Sequence, residues 1–135
     1  NPGLVTAEYA QKALDMFQRA ERAVADDRVA LYRVRAEKLF VLFADVNERN
    51  LGNGKATDRK LFADRLAEFC RIARSSRLAT IGRRDAGVVS DWLERISGLR
   101  PELTPWFQDP LLDQLLDDPS ATLARHREVR KPQQP

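Results

Sequence analysis

Three pairs of carboxylates have a spacing at which one could act as acid and the other as base: Asp26 with Asp27, Asp117 with Asp118, and Asp64 with Glu68 one helical turn on. General acid-base work needs one carboxyl with a raised pKa in a cleft. These pairs instead fall at the ends of periodic segments or on polar faces, where helix capping and solubility explain them. His126, the only histidine, lies in a basic stretch whose one nearby carboxylate, Glu128, is two residues away and on a different helical face. Cys70, the only cysteine, follows Phe69 in an apolar stripe, the place of a buried thiol with no base beside it. No acid, base and nucleophile can be brought together, so no catalytic residue is assigned. One cysteine and one histidine also exclude a disulfide within the chain and a zinc-thiolate site. No residues are assigned to a metal or a cofactor.

Two further patterns invite phosphate. Gly52-Asn53-Gly54-Lys55-Ala56-Thr57 superficially looks like a phosphate-cradling loop at a helix N-terminus. Aligning Gly54-Lys55 with its Gly-Lys puts Arg49 where the first glycine belongs and Ala56 where the hydroxyl belongs, after a helix in place of a strand. The segment reads as a solvated connection. Arg71, Arg74 and Arg77 recur at i, i+3, i+6, which on a helix could present three guanidiniums to a phosphate backbone or to an acidic partner. No aromatic residue interleaves them, and arginine supplies 18 of the 23 basic residues throughout the chain. A nucleic-acid partner is not expected, and the three arginines are read as a candidate protein-facing surface.

The elements that must carry these residues are helices. After Thr6, a good N-cap, Ala10, Ala13, Leu14, Phe17, Ala20 and Val24 recur with helical spacing, predicting a helix over about 7–25. Asp26 or Asp27 then caps a second helix, about 28–49, with Val29, Tyr32, Ala36, Leu39, Phe43 and Val46 as its expected inward stripe. Within it Leu39 to Ala44 is apolar all round, predicting a central helix covered on more than one side. Asn50 to Lys55 is the connection, and Thr57 or Asp58 caps a third helix, to about Leu78, with Leu61, Phe62, Leu66, Phe69, Cys70 and Ala73 inward. A shorter fourth helix after Asp85 places Val88, Val89, Trp92, Leu93 and Ile96 inward and Gly98 in the C-cap position. No segment alternates with period two. The expected fold is all-α: an up-down bundle of three long helices, a shorter fourth helix and a proline-rich C-terminal segment with short helices. A helical-repeat solenoid is the lesser alternative, because the helices are not copies of one another.

From Leu99 onward six prolines fall in 37 residues, and Asp109-Pro110 and Asp118-Pro119 each match an N-cap followed by proline at N1. Trp106 and Phe107 stand beside Leu111, Leu112, Leu115 and Leu116, more apolar surface than a disordered tail concentrates, so that surface must be covered by the chain itself or by a partner. The expected division is 1–98 as the bundle, 99–124 as a segment packing on it and 125–135 as a polar tail. Trp106 and Phe107 join the arginines as the candidate interaction surface.

Across its 135 residues the chain is 43% apolar and 32% charged, the balance of one domain able to bury a core. No apolar run reaches the ~18 residues of a membrane helix, and no signal peptide opens the sequence, so no membrane partner is expected. The net charge of +3 is too small to argue for a polyanionic partner. Arg71 to Arg84 holds five arginines and no acid, whereas Arg100 to Asp118 holds five acids, so the two stretches can satisfy each other. The chain opens Asn1-Pro2-Gly3, with Met16 its only methionine, which is expected of a fragment or a processed product.

One pattern goes beyond a generic bundle. Ala20-Glu21, the acidic break Asp26-Asp27, then Arg33-Val34 followed by Leu39 and Leu42, resembles the helical C-terminal region of large bacterial glycoside-hydrolase-like proteins that carry an uncharacterised α/β-barrel domain. The resemblance covers about residues 5–50, with weaker support to Ile96. The barrel, which would hold that family's catalytic carboxylates, has no counterpart here, so no catalytic residue carries over. What the resemblance implies is a non-catalytic structural or interaction module of a larger carbohydrate-active protein, whose partners are the other domains of that protein, with a secreted or periplasmic location. The alternatives are an independent adaptor or regulatory bundle that binds a protein partner, and a helical enzyme acting on phosphate or sugar through arginines and aspartates.

Overall fold

A computed structural model of the chain describes residues 7–51, 56–78 and 88–130. Six α-helices account for most of them: α1 (Ala7–Ala23), α2 (Arg28–Leu51), α3 (Ala56–Ser75), α4 (Val89–Ser97), α5 (Pro110–Asp117) and α6 (Pro119–Arg130), with one 3-10 turn at Trp106–Gln108. No β-strand occurs among the described residues. The described fold is all-α, and its first three helices are the long ones. Thr6, the Gly52–Lys55 connection, Arg83, Arg84 and Asp85 lie outside the described residues. The chain divides into two compact units, Asn1–Ile72 and Ala73–Pro135, with the division falling inside α3.

In the first unit, the four residues between α1 and α2 turn the chain back. Asp27 caps α2 as its acidic type predicts: Oδ1 accepts the Ala30 N–H at 3.0 Å, and its carbonyl accepts that of Leu31. Partners shared by α2 and α3 run in opposite order, Lys38 with Glu68 and Asp45 with Arg65, so these two helices are antiparallel. Ala10 and Leu14 of α1, Leu42 and Val46 of α2, and Ala63, Leu66, Ala67, Phe69, Cys70 and Ile72 of α3 are the buried apolar residues. Phe43 meets Phe69 in a tilted ring pair at 6.3 Å. The burial of Phe69 and Cys70 agrees with the stripe read from the sequence.

The second unit starts at the end of α3. That helix stops at Ser75, three residues short of the expected Leu78, because the chain closes it with a Schellman motif: Leu78 N–H donates to Ala73 O and Arg77 N–H to Arg74 O. Arg77 takes the left-handed conformation, φ 53°, in the position where glycine is usual. Further on, Gly98 does occupy this position after α4, with φ 85° and its N–H donated to Glu94 O, as expected. Val89, Trp92, Leu93 and Ile96 of α4 are buried, followed by Leu99. Val88 is a correction: expected inward, it is the N-cap residue and is 43% exposed, since it precedes the first helical turn.

Both Asp-Pro pairs open helices. Asp109 Oδ1 accepts the Leu111 N–H with Pro110 at N1 of α5, and Asp118 Oδ1 accepts that of Ala121 in the first turn of α6. Helix α6 continues to Arg130, so residues 125–130 are helical where composition alone reads as a polar tail.

Candidate interaction surface

Helix α2 carries apolar residues on opposite sides, and charge decides which side turns inward. Lys38 and Asp45 are buried along with Leu42 and Val46. Burying charge is costly unless it is paired, and here each charge has partners from other turns or helices. Lys38 Nζ lies 2.9 Å from Glu21 of α1 and 2.9 Å from Glu68 of α3. Glu21 also accepts from Arg35 Nε at 2.9 Å, and Glu68 pairs with Arg71. Asp45 accepts from Arg49 Nε at 2.8 Å and faces Arg65 Nη1 at 3.6 Å.

The electrostatics follow from these contacts. Burial opposes ionisation of Glu21, but the hydrogen bonds from Lys38 and Arg35 outweigh it and hold its carboxyl below the usual glutamate value. Burial lowers Arg65, and the charge of Asp45 works against that shift. The buried Asp45 Oδ1 and Arg65 Nη1 make no hydrogen bond to another described residue. In the second unit, burial opposes ionisation of Asp109, while the N–H groups of Leu103, Leu111 and Glu102 hold its carboxyl below the usual aspartate value.

With Lys38 and Asp45 turned in, the opposite side of α2 faces out. Val29, Tyr32 and Phe40 are 61%, 60% and 68% exposed. This corrects the expectation for α2: Val29 and Tyr32 are outside the core, Phe40 is not covered within its unit, and only Val46 of the expected stripe is fully buried, with Ala36, Leu39 and Phe43 half-buried. The physical reason is that two apolar stripes compete on one helix, and the ion pairs from α1 and α3 select the stripe containing Leu42. Val29 and Phe40 are 11 residues apart, about three turns, with Ala36 between them, so the exposed residues form a line along the helix. Sequence reasoning found these residues and assigned them to the wrong side. No signal within α2 could have placed them, because the charges Lys38 and Asp45 would by themselves mark their side as outward, and they turn inward only through partners on α1 and α3.

The residues singled out as a candidate surface have the following places. Arg71 is exposed and pairs with Glu68. Arg74 Nη1 lies 2.7 Å from Asp113 of α5, an instance of the basic and acidic stretches meeting. Arg77 has left the helix, so the three arginines do not share one helical face. Trp106 is 4% exposed, and its indole N–H donates to Leu78 O at 2.7 Å. Phe107 is half-buried against it, edge to face at 6.0 Å. Leu112 and Leu115 are buried too, so the second unit itself covers much of the apolar surface of this segment.

At least one member of each carboxylate pair is in structural use. Asp64 pairs with Lys60 at 2.8 Å, Glu68 with Lys38 and Arg71, and Asp27 and Asp118 cap helices. Among the described residues no group of three His, Cys, Asp or Glu side chains converges as metal ligands would, and no helix is long and apolar enough to cross a membrane. No protein-family model, curated protein or solved structure matches the chain.

Proposed function

We propose that the chain is a non-catalytic helical interaction module whose binding face is the outer side of α2. The observation that carries the reading is the line of Val29, Tyr32 and Phe40, each at least 60% exposed on a helix whose other side is tied inward by Lys38 and Asp45. Two large aromatics left in water on one helix face are an arrangement that a partner's surface stabilises by removing them from solvent. The structural places of the ion-paired Arg71 and Arg74 and of the capping Asp27, Asp109 and Asp118 support binding over catalysis. Membership in a larger carbohydrate-active protein rests on the sequence resemblance alone, and the coding sequence upstream of Asn1 tests it: a barrel domain there supports the link, and its absence removes it.

The test of the binding face is substitution. Tyr32→Ser and Phe40→Ser should leave folding stability within about 0.5 kcal/mol, because surface positions contribute little to it. The same variants should lose most of the protein's binding of a hydrophobic fluorescent dye. Unfolding of the first unit by either variant contradicts the reading, since the side chains would then be core. Chromogenic glycosides and esters should remain unhydrolysed. Turnover that survives repurification and vanishes on mutating Asp64, Glu68 or His126 contradicts the non-catalytic assignment.

A further inference from the structure

We propose that the outer face of α2 pairs with the same face of a second copy of this chain, in an antiparallel contact with two-fold symmetry centred near Ala36. The inference rests on the binding-face reading above and names its occupant. In a two-fold contact each residue meets its symmetry counterpart, so the surface must be complementary to its own reversed image. The face meets that condition. Tyr32 and Phe40 lie four residues to either side of Ala36, so an axis there sets Tyr32 of each copy against Phe40 of the other, with a small residue at the crossing where the helices come closest.

The charges bordering the face are complementary in the same sense. Arg33 and Glu37 are both exposed, and neither forms an ion pair with another described residue. Reversing the helix about Ala36 sets position 33 opposite position 39, two residues or about 3 Å along the axis from Glu37 of the second copy. An arginine side chain spans that offset, so the contact contains two Arg33–Glu37 pairs of opposite sign. An arbitrary partner would need neither the symmetric aromatic spacing nor this charge order.

The area sets the strength. An aromatic side chain buries about 150–250 Å², so the exposed parts of Tyr32 and Phe40, with Val29 and the bordering residues, give roughly 400–500 Å² per copy. A standard interface buries ~800 Å² per partner, so the pair is a reversible, concentration-dependent dimer.

Sedimentation velocity on the whole chain over a concentration series tests this. The wild type should shift from monomer toward dimer. Phe40→Arg, at an exposed position, should weaken association at least ~10-fold, as loss of a central aromatic does, with the helical circular dichroism and melting temperature unchanged. Arg33→Glu and Glu37→Arg should each weaken it several-fold, by setting like charges opposite one another, and the combined double variant should recover to within about threefold of wild type. Because Arg33 and Glu37 are also i, i+4 neighbours on one helix, the recovery counts for a contact across copies when it appears in the dimer constant while the melting temperatures of the single variants stay unchanged. A monomer at every concentration, a dimer that Phe40→Arg leaves unchanged, or a double variant without recovery overturns the proposal. The dye and stability measurements on the serine variants judge the binding-face reading separately, so the two can fail independently.

Discussion

Lys38 donates to Glu21 across the first helical hairpin at 2.9 Å, with the lysine side chain only 10% exposed and the glutamate 15%. A buried ammonium of this kind fixes which side of α2 faces the other helices, because rotating the helix outward would break this contact and the one to Glu68 together.

The pair gives the stability of the first unit a defined pH dependence. The carboxyl of Glu21 is held below its usual value in the folded protein, so the unfolded chain binds its proton more readily. The resulting stabilisation is fully present above the unfolded value of about 4.3 and is lost as pH falls through the lower folded value. Lys38→Met should cost about 1–3 kcal/mol at neutral pH, the usual penalty for leaving a partly buried polar partner short of a hydrogen bond. It should also flatten the acid loss. Tyrosine fluorescence reads this unit selectively, since both tyrosines, Tyr9 and Tyr32, lie in it; an unchanged acid profile in the variant would remove Lys38 as the cause of the Glu21 shift.

Asp109 performs the corresponding task in the second unit. Oδ1 caps α5, and Oδ2 accepts the Glu102 and Leu103 N–H groups at 2.6 and 2.9 Å, tying the preceding loop to the helix start. Asp109→Ala should destabilise the unit by about 2–4 kcal/mol, a lost cap plus two N–H groups left without their acceptor. Asp109→Asn, with a single acceptor oxygen, should fall between alanine and wild type. Both tryptophans, Trp92 and Trp106, belong to this unit, so tryptophan fluorescence during urea unfolding reports it alone. Equal stability of the alanine variant and the wild type would contradict the role given to Asp109.

Asp45 is 1% exposed between Arg49 and Arg65. Its removal leaves two guanidiniums, each 11% exposed, without their carboxylate, so Asp45→Ala should cost about 3–5 kcal/mol, measured by hydrogen exchange of α2 and α3. A cost below about 1 kcal/mol would show that solvent reaches the arginines and that the pair contributes as little as a surface ion pair.

These contacts explain what was and was not legible in the sequence. Helix type, number and the Asp-Pro starts could be read because periodicity and capping are local, as Asp27, Gly98 and Asp109 illustrate. The orientation of α2 could not, because Glu21 lies 17 residues before Lys38 and Glu68 lies 30 after it, and no single-helix pattern encodes such partners. The end of α3 was misplaced because arginine at position 77 gives no sign of a left-handed cap. Of the three N–H groups held by Asp109, only the capping one follows from the Asp-Pro pair; the other two depend on how the loop closes.

Hydroxyl-radical footprinting of the whole chain at increasing protein concentration tests the central claim most directly, because it reads Tyr32 and Phe40 themselves. The account predicts that labelling of both falls as concentration rises, while exposed Leu103 of the second unit keeps its labelling throughout. Labelling of Tyr32 and Phe40 that stays constant across the series, in step with Leu103, would contradict it.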